Sequence, residues 1–322
     1  VATDPGRWLA IVNPAAGRRD GGAGWRAVEA ALREAKVAFD SVQTQAVGDA
    51  TGLAAQALRD GRRRLIAVGG DGSVNEIVHG VMDAGLADTR EVTLALAPHG
   101  TGNDWARSIA MPLDPRGIAR TIAADRSMLH DVGAIDFPAE PQGRRRWFIN
   151  VAGAGYDAVV TARVPRPVPS AVTYLRIALE GLASYRSPQF RVRADGQAIE
   201  GRLLLVFVAN ARYCGNRMHV APTASIDDGL LDILAVRELS LIEVLPKLLK
   251  LYRGRILGDP AVRHLRAARV SIETDPPAIV QADGQLLSQT PAEFSVLRQA
   301  LRVVTGLADP AQGGSPAARP AG

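Results

Sequence analysis

Two glycine-rich segments, Gly69-Gly70-Asp71-Gly72-Ser73-Val74-Asn75-Glu76 and Gly100-Thr101-Gly102-Asn103-Asp104, carry the residue types that hold a chain of phosphates. Glycines let backbone N–H groups approach phosphate oxygens, and a helix starting just behind them favours negative charge. Ser73 and Thr101 add hydroxyl donors. Asp71 and Asp104 would repel phosphate unless a cation such as Mg2+ lay between, bound directly or through water. Taken singly, Gly-Gly-Asp-Gly is also an ordinary tight turn; two such turns at equivalent places favour phosphate binding. Neither is a Walker A loop, since no Gly-Lys-Ser/Thr follows, and Asn75 stands where a dinucleotide fingerprint needs its third glycine. Gly153-Ala154-Gly155-Tyr156-Asp157-Ala158 fits G-x-G-x-x-A better. No strand ending in an acid follows about twenty residues on, so those glycines read as close helix–strand packing. His79, His99, His130, His219 and His264 share no metal-ligand spacing, and no G-x-S-x-G elbow is present.

The elements around these turns alternate. Trp8–Asn13 reads as a strand ending in Asn13-Pro14-Ala15-Ala16-Gly17, and Trp25, Val28, Leu32 and Ala35 recur at helical spacing. A weaker strand over Phe39–Thr44 and a helix over Asp49–Asp60 follow. Leu65–Val68 is a buried-type strand, Val74, Ile77, Val78, Val81 and Met82 stripe the next helix, and Val92–Ala97 leads into the second turn. This βαβα order predicts an α/β domain with a parallel sheet, whose loops share the edge where ligands bind. From Met128 strands dominate: Met128–Asp136, Trp147–Ala152, Gln189–Ala194, Arg202–Asn210, Leu230–Val236, Ala268–Thr274 and Ala278–Ala282. With helices over Ala171–Ser184 and Leu241–Tyr252, they predict a mainly antiparallel second domain. The expected division is 1–127, 128–298 and a disordered Pro/Gly/Ala tail over 309–322.

A chain of 322 residues has room for two such domains. No apolar run reaches the roughly 18 residues of a membrane span. The N-terminus lacks a leader pattern and Cys214 is the single cysteine, so a cytoplasmic protein is expected. A net charge of +5 implies attraction to anionic surfaces. Basic clusters at Arg62–Arg64, Arg144–Arg146 and Arg253–Arg269 read equally as solvated faces or as contacts to anionic lipid. Aromatics are not interleaved with them, so nucleic acid is not an expected partner.

Asn13-Pro14-x-x-Gly17, Gly69–Glu76 and Gly100–Asp104, in this order, resemble the signature of the diacylglycerol kinase catalytic-domain superfamily, which includes bacterial lipid kinases and sphingosine and ceramide kinases. Asp131-Val132-Gly133, Asn150–Gly155, Ile226–Asp232 and Asp283-Gly284 extend the resemblance over nearly the whole chain. It implies an ATP-binding domain like that of NAD kinases and phosphofructokinases, a β-rich acceptor domain, and a chain end (299–308) that returns to the first domain. It implies ATP contacts at Asn13, Thr44, Gly69–Glu76 and Gly100–Asn103, and a water-linked Mg2+ network of Asp71, Asp104 and Asp131. It further implies a structural Mg2+ on the Asp228 carboxylate and the carbonyls of Ser225 and Leu230, where a plain hairpin turn is the alternative.

The family's catalytic base lies in an Asp-Gly-Glu motif, here Asp283-Gly284-Gln285. Asp283 is then the expected base and Gln285 a departure at the catalytic position, since an amide accepts no proton at neutral pH. The implied reaction is phosphorylation of a lipid alcohol at the inner face of an anionic membrane. The segment Arg163–Tyr174 reads as an entrance flap or as an ordinary surface loop. A soluble acceptor such as NAD, a weakly active nucleotide or lipid sensor, the lipid's identity and a homodimer all stay open.

Overall fold

The computed structural model describes residues 6–16, 23–100, 102–140, 143, 145–164 and 171–307. Gly17, Thr101, Arg144, half of the flap (165–170) and the tail 309–322 lie outside them.

Strands β1 (Trp8–Val12), β2 (Phe39–Gln43), β3 (Arg64–Gly69) and β4 (Thr93–Pro98) form a parallel sheet in the order β2-β1-β3-β4. The central strands are near-continuous apolar runs, as a sheet covered on both faces requires. The connecting helices are α1 (Ala23–Glu34), α2 (Asp49–Arg59), α3 (Asp71–Met82), α4 (Asp104–Ser108) and α5 (Pro115–Ala124); α1 packs on α5 and α2 on α3. Val74, Ile77, Val78 and Val81 are fully buried, so the apolar stripe of α3 locks that helix onto the sheet behind its N-terminal turn.

The rest of the chain is an antiparallel sandwich. It begins with β5 (Ser127–Asp136), β6 (Arg146–Phe148), β7 (Val151–Gly155), α6 (Tyr156–Arg163), α7 (Ala171–Ser184), β8 (Gln189–Ala194) and β9 (Gln197–Ala209). It continues with β10 (Tyr213–Cys214), β11 (Met218–His219), β12 (Leu231–Arg237), α8 (Leu241–Tyr252), β13 (Val262–Ala267), β14 (Arg269–Asp275), β15 (Ile279–Ala282), β16 (Gln285–Gln289) and β17 (Ala292–Val304). β9 pairs first with β8, then with β7 and β12, and so belongs to both layers. Ile135, Phe148, Phe190, Val206, Ile233 and Phe294 fill the core between them.

Two departures from the sequence reading have physical causes. The strand expected over Trp147–Ala152 is broken into β6 and β7, because the N–H groups of Ile149, Asn150 and Val151 turn to a carboxylate instead of a neighbouring strand. Part of the basic cluster Arg253–Arg269 is β13, a strand whose His264 and Arg266 face an aspartate on β12.

β17 joins the two halves. Its first part pairs with β14, while Arg302 and Val303 pair in parallel with Thr93 and Leu94 of β4. β5 accompanies it antiparallel from Glu293 to Val304, with a register shift between Leu297 and Leu301. Leu301, Val303 and Val304 thereby enter the core of the N-terminal sheet. Truncating Leu301, which is 0% exposed, to alanine leaves a cavity at this joint. Leu301→Ala is expected to cost about 2–5 kcal/mol of stability in equilibrium urea unfolding.

Candidate active site

The carboxyl ends of β1 to β4 bring Asn13, Thr44, Gly69 and Gly100 to one sheet edge. There the two glycine turns touch. A Cβ on Gly100 would lie 2.6 Å from the Gly70 Cα, and one on Gly70 would lie 3.1 Å from the Gly100 Cα. Only two glycines permit this approach, and it leaves the backbone of both turns free of side chains. Ser73 is braced by Asn13, whose Nδ2 donates to Ser73 Oγ at 3.1 Å. Asn103 closes the second turn on itself: its Oδ1 accepts from Gly100 N–H at 3.0 Å and its Nδ2 donates to Gly100 O at 2.9 Å. Thr44 is buried at the end of β2 and bonded to the Val12 carbonyl. Gly72 is exposed at the turn's tip. Two residues of the motif are directed elsewhere. Val74 is in the core, and the Glu76 carboxylate accepts from Ala50 N–H at 3.3 Å, at the start of α2.

Asp71 and Asp104 form a relay of backbone clamps. The Asp71 carboxylate accepts from the N–H groups of Asp104 (3.2 Å) and Trp105 (3.0 Å), which fixes α4 to the first turn. The Asp104 carboxylate accepts from Asn216 (2.9 Å) and Arg217 (2.7 Å), which fixes the β10–β11 hairpin of the sandwich to the second turn. Both carboxylates border Gly102, where a Cβ would be 3.3 Å from Asp71 Oδ2 and 3.5 Å from Asp104 Oδ2. Burial and then the like charge of Asp71 push the Asp104 carboxyl up. Two acids sharing a spot, each with acceptor sites to spare beyond its two N–H partners, suit a divalent cation that takes its remaining oxygens from phosphate and water.

Across the cleft, Asp283-Gly284 is the two-residue turn between β15 and β16, with φ of 47° and 79°. Positive φ at both positions is what a tight Asp-Gly hairpin turn needs. The Asp283 carboxylate is surrounded by donors: Ile149 N–H (2.9 Å) and Asn75 Nδ2 (2.9 Å) on Oδ2, and Asn150 and Val151 N–H (both 3.0 Å) on Oδ1. Burial pushes its carboxyl up to about 6, against the opposing effect of these four bonds. Asn75 also donates to the Trp147 carbonyl at 3.1 Å. One turn further along α3, His79 Nε2 accepts from Trp147 N–H at 3.1 Å, and a turn beyond that Asp83 Oδ1 accepts from Trp147 Nε1 at 2.7 Å. One face of α3 is therefore riveted to β6. Gln285 opens β16 opposite Ala282.

Sequence reading passed over several groups of this cleft. Gln281 links Asp157 to the turn, donating to Asp157 Oδ2 at 3.0 Å and accepting from Gly284 N–H at 3.1 Å. Burial pushes the Asp157 carboxyl up to about 7. Burial also raises the Cys214 thiol, and the charges of Asp104, Asp157, Asp283 and Asp71 raise it further. The usable signal was Asp157 at the end of the G-x-G-x-x-A decoy. Three histidines, His79, His130 and His264, are hydrogen-bonded through Nε2; His130 is buried, accepts from Trp105 Nε1 at 3.1 Å and is pushed by burial down to about 4. His99 lies against Gly24.

Asp131, on β5, is directed at the turn over 225–230. Its Oδ2 accepts from Gly229 N–H (2.6 Å) and its Oδ1 from Gln299 N–H (2.6 Å). Asp228 Oδ1 accepts from Leu230 N–H at 3.0 Å, Asp228 Oδ2 is bonded to Arg266, and Ser225 Oγ donates to Asp227 at 2.6 Å. That carboxylate is committed to an arginine, and the side chains present do not fit the structural Mg2+ expected there.

Comparison with known proteins gives the family. The profile of the diacylglycerol kinase catalytic domain matches residues 7–135, and that of the YegS C-terminal NAD kinase beta sandwich-like domain matches 150–305. A diacylglycerol kinase of Bacillus subtilis is 29% identical over 81% of this chain and 84% of its own length. One from Staphylococcus carnosus is 27% identical over 86% and 88%. Among solved structures, a diacylglycerol kinase from Bacillus anthracis superimposes with a TM-score of 0.72 at 24% identity, over 95% of this chain and 98% of that one. Yeast NADH kinase shares the fold at a TM-score of 0.53 and 11% identity, over 94% and 84%. With both profiles matched in sequence order and the relatives aligned along most of its length, the chain belongs to the diacylglycerol kinase catalytic-domain superfamily and is a kinase that phosphorylates a hydroxyl acceptor.

Proposed function

We propose that this kinase transfers the γ-phosphate of ATP to the hydroxyl of a diacylglycerol-like lipid, with Mg2+, at an anionic membrane surface. The observation that carries the reading is the facing of two sites: the Gly70–Gly100 contact at the sheet edge and Asp283 across the cleft, joined by one Asn75 hydrogen bond. Residues 1–127 then supply the nucleotide side and 128–298 the acceptor side. The bare backbone of the glycine turns, with Ser73 and Asn13, receives the phosphates. Asp71 and Asp104 would hold the Mg2+, which when bound neutralises charge on the transferred group.

Asp283 takes the proton of the lipid hydroxyl. All four of its acceptor positions are filled, and Asn75 is the one donor carried on a side chain. The incoming hydroxyl replaces that amide on Oδ2, so the base is unmasked only when an acceptor is present. Gln285, in the place of the family's glutamate, leaves Asp283 as the proton acceptor. No helix among the described residues is long and apolar enough to cross a membrane; in this reading the protein reaches its lipid by surface contact through apolar and basic side chains.

Four outcomes are expected. Purified protein with Mg2+ and labelled ATP phosphorylates a component of lipid extract, read by mass spectrometry; absence of product from every lipid class, or labelling of NAD instead, refutes the lipid reading. Asp283→Asn lowers kcat by about 10²–10⁴ while ATP binding persists, and full activity in that variant removes Asp283 as the base. In the wild type the rate falls as pH drops through about 6, because the burial-raised carboxyl is then protonated and cannot accept. Gly100→Ala forces the two turns apart and lowers kcat/KM for ATP by about a hundredfold, as a misplaced phosphate site should.

A further inference from the structure

The turn over 225–230 is where the family resemblance places a structural Mg2+, and its carboxylate is bonded to the chain's own donors. Asp228, the only carboxylate of the expected donor set, spends Oδ1 on Leu230 N–H at 3.0 Å and Oδ2 on the Arg266 guanidinium. Arg266 also reaches Asp232, with Nε 3.3 Å from Oδ2. This placement follows from register: Asp232 pairs directly with Arg266 in the β12–β13 ladder, and His264, two residues back on the same face of β13, donates its Nε2 bond to Asp232 Oδ1 at 2.7 Å.

The rest of the turn is closed as well. Thr223 Oγ1 donates to Asp232 at 2.6 Å and Ser225 Oγ to Asp227 at 2.6 Å. The space against the turn's backbone is taken by an anion, since Asp131 Oδ2 accepts from Gly229 N–H and Asp131 N–H donates to Ile226 O at 2.7 Å. The stem of Arg298 lies over Gly229, where a Cβ would meet its Cδ at 2.9 Å. Mg2+ needs a near-octahedral set of oxygens at about 2.0–2.1 Å, and a guanidinium on the single carboxylate of the set competes for that position. Positive charge is still required, because Asp131, Asp227, Asp228 and Asp232 gather here. Burial works against an ionised Asp232, and its bonds to His264 and Thr223 with the charges of His264 and Arg266 outweigh it, holding the carboxyl below the usual range.

We infer that Arg266 is the built-in cation of this turn: by bridging Asp228 and Asp232 it supplies the charge that a bound Mg2+ would supply, and the sandwich needs no divalent metal to fold. This goes beyond the proposed activity and does not depend on which acceptor is used. The test is a thermal melt of the nucleotide-free full chain in EDTA and in millimolar Mg2+, for wild type, Arg266→Met and Asp228→Asn. Wild type is expected to melt at the same temperature in both buffers. Arg266→Met is expected to melt about 3–5 °C lower in EDTA, with Mg2+ restoring part of the loss because Asp228 is released. A wild type stabilised by Mg2+, with the gain abolished in Asp228→Asn, overturns the inference, as does an Arg266→Met that melts like wild type in EDTA. Should Arg266→Met fail to fold, Mn2+ binding decides: equal stoichiometry in wild type and Asp228→Asn supports the inference, and a site lost in Asp228→Asn overturns it.

Discussion

A carboxylate taken out of water must have its acceptor positions answered by protein donors, and Asp283 has all of them answered from two directions at once. Three donors are consecutive backbone N–H groups of the segment between β6 and β7; the fourth is the side chain of Asn75 on α3. The bend that interrupts the expected strand over Trp147–Ala152 exists because those N–H groups point at this carboxylate. An uncompensated charge in such a place would cost several kcal/mol. The shape of the sandwich's inner edge and the seating of α3 are therefore tied to one side chain.

The other acids of the cleft follow the same rule. Asp71 holds the start of α4, and Asp104 on α4 holds the β10–β11 hairpin, so each aspartate of a glycine turn anchors the next element by its backbone. Hydrogen bonds thus tie the two turns, the hairpin and β6 together. Part of each carboxylate is spent on N–H groups, which lets two acidic side chains lie side by side at the glycine turns.

The halves meet again, away from the cleft, in the ribbon of β5 and β17. Asp131 on β5 gathers the backbone of Gly229 and of Gln299, where β17 breaks register before joining β4. Because β17 contributes to both cores, an opening of the cleft by rigid rotation has to bend this ribbon or break the rivets of α3 on Trp147.

The local features were legible in the sequence, and each for a local reason. Apolar periodicity marked the strands and α3, glycine and aspartate marked the turns, and the order of motifs carried the family. Parallel and antiparallel halves were both expected, and both are found. Tertiary structure decided which polar atoms meet. Nothing in the spacing of Asn75, Trp147 and Asp283 says that they share hydrogen bonds, since those depend on how two sheets pack. The destinations of Glu76 and Val74, away from the glycine turns, depend on α3's rotation against α2 and the core. Arg266 was counted as part of a basic run; only the β12–β13 register sets it opposite Asp232 and against Asp228. A sequence fixes which residue types lie near one another along the chain, whereas charge compensation in a cleft is settled between residues far apart in sequence, and so appears only once the chain is folded.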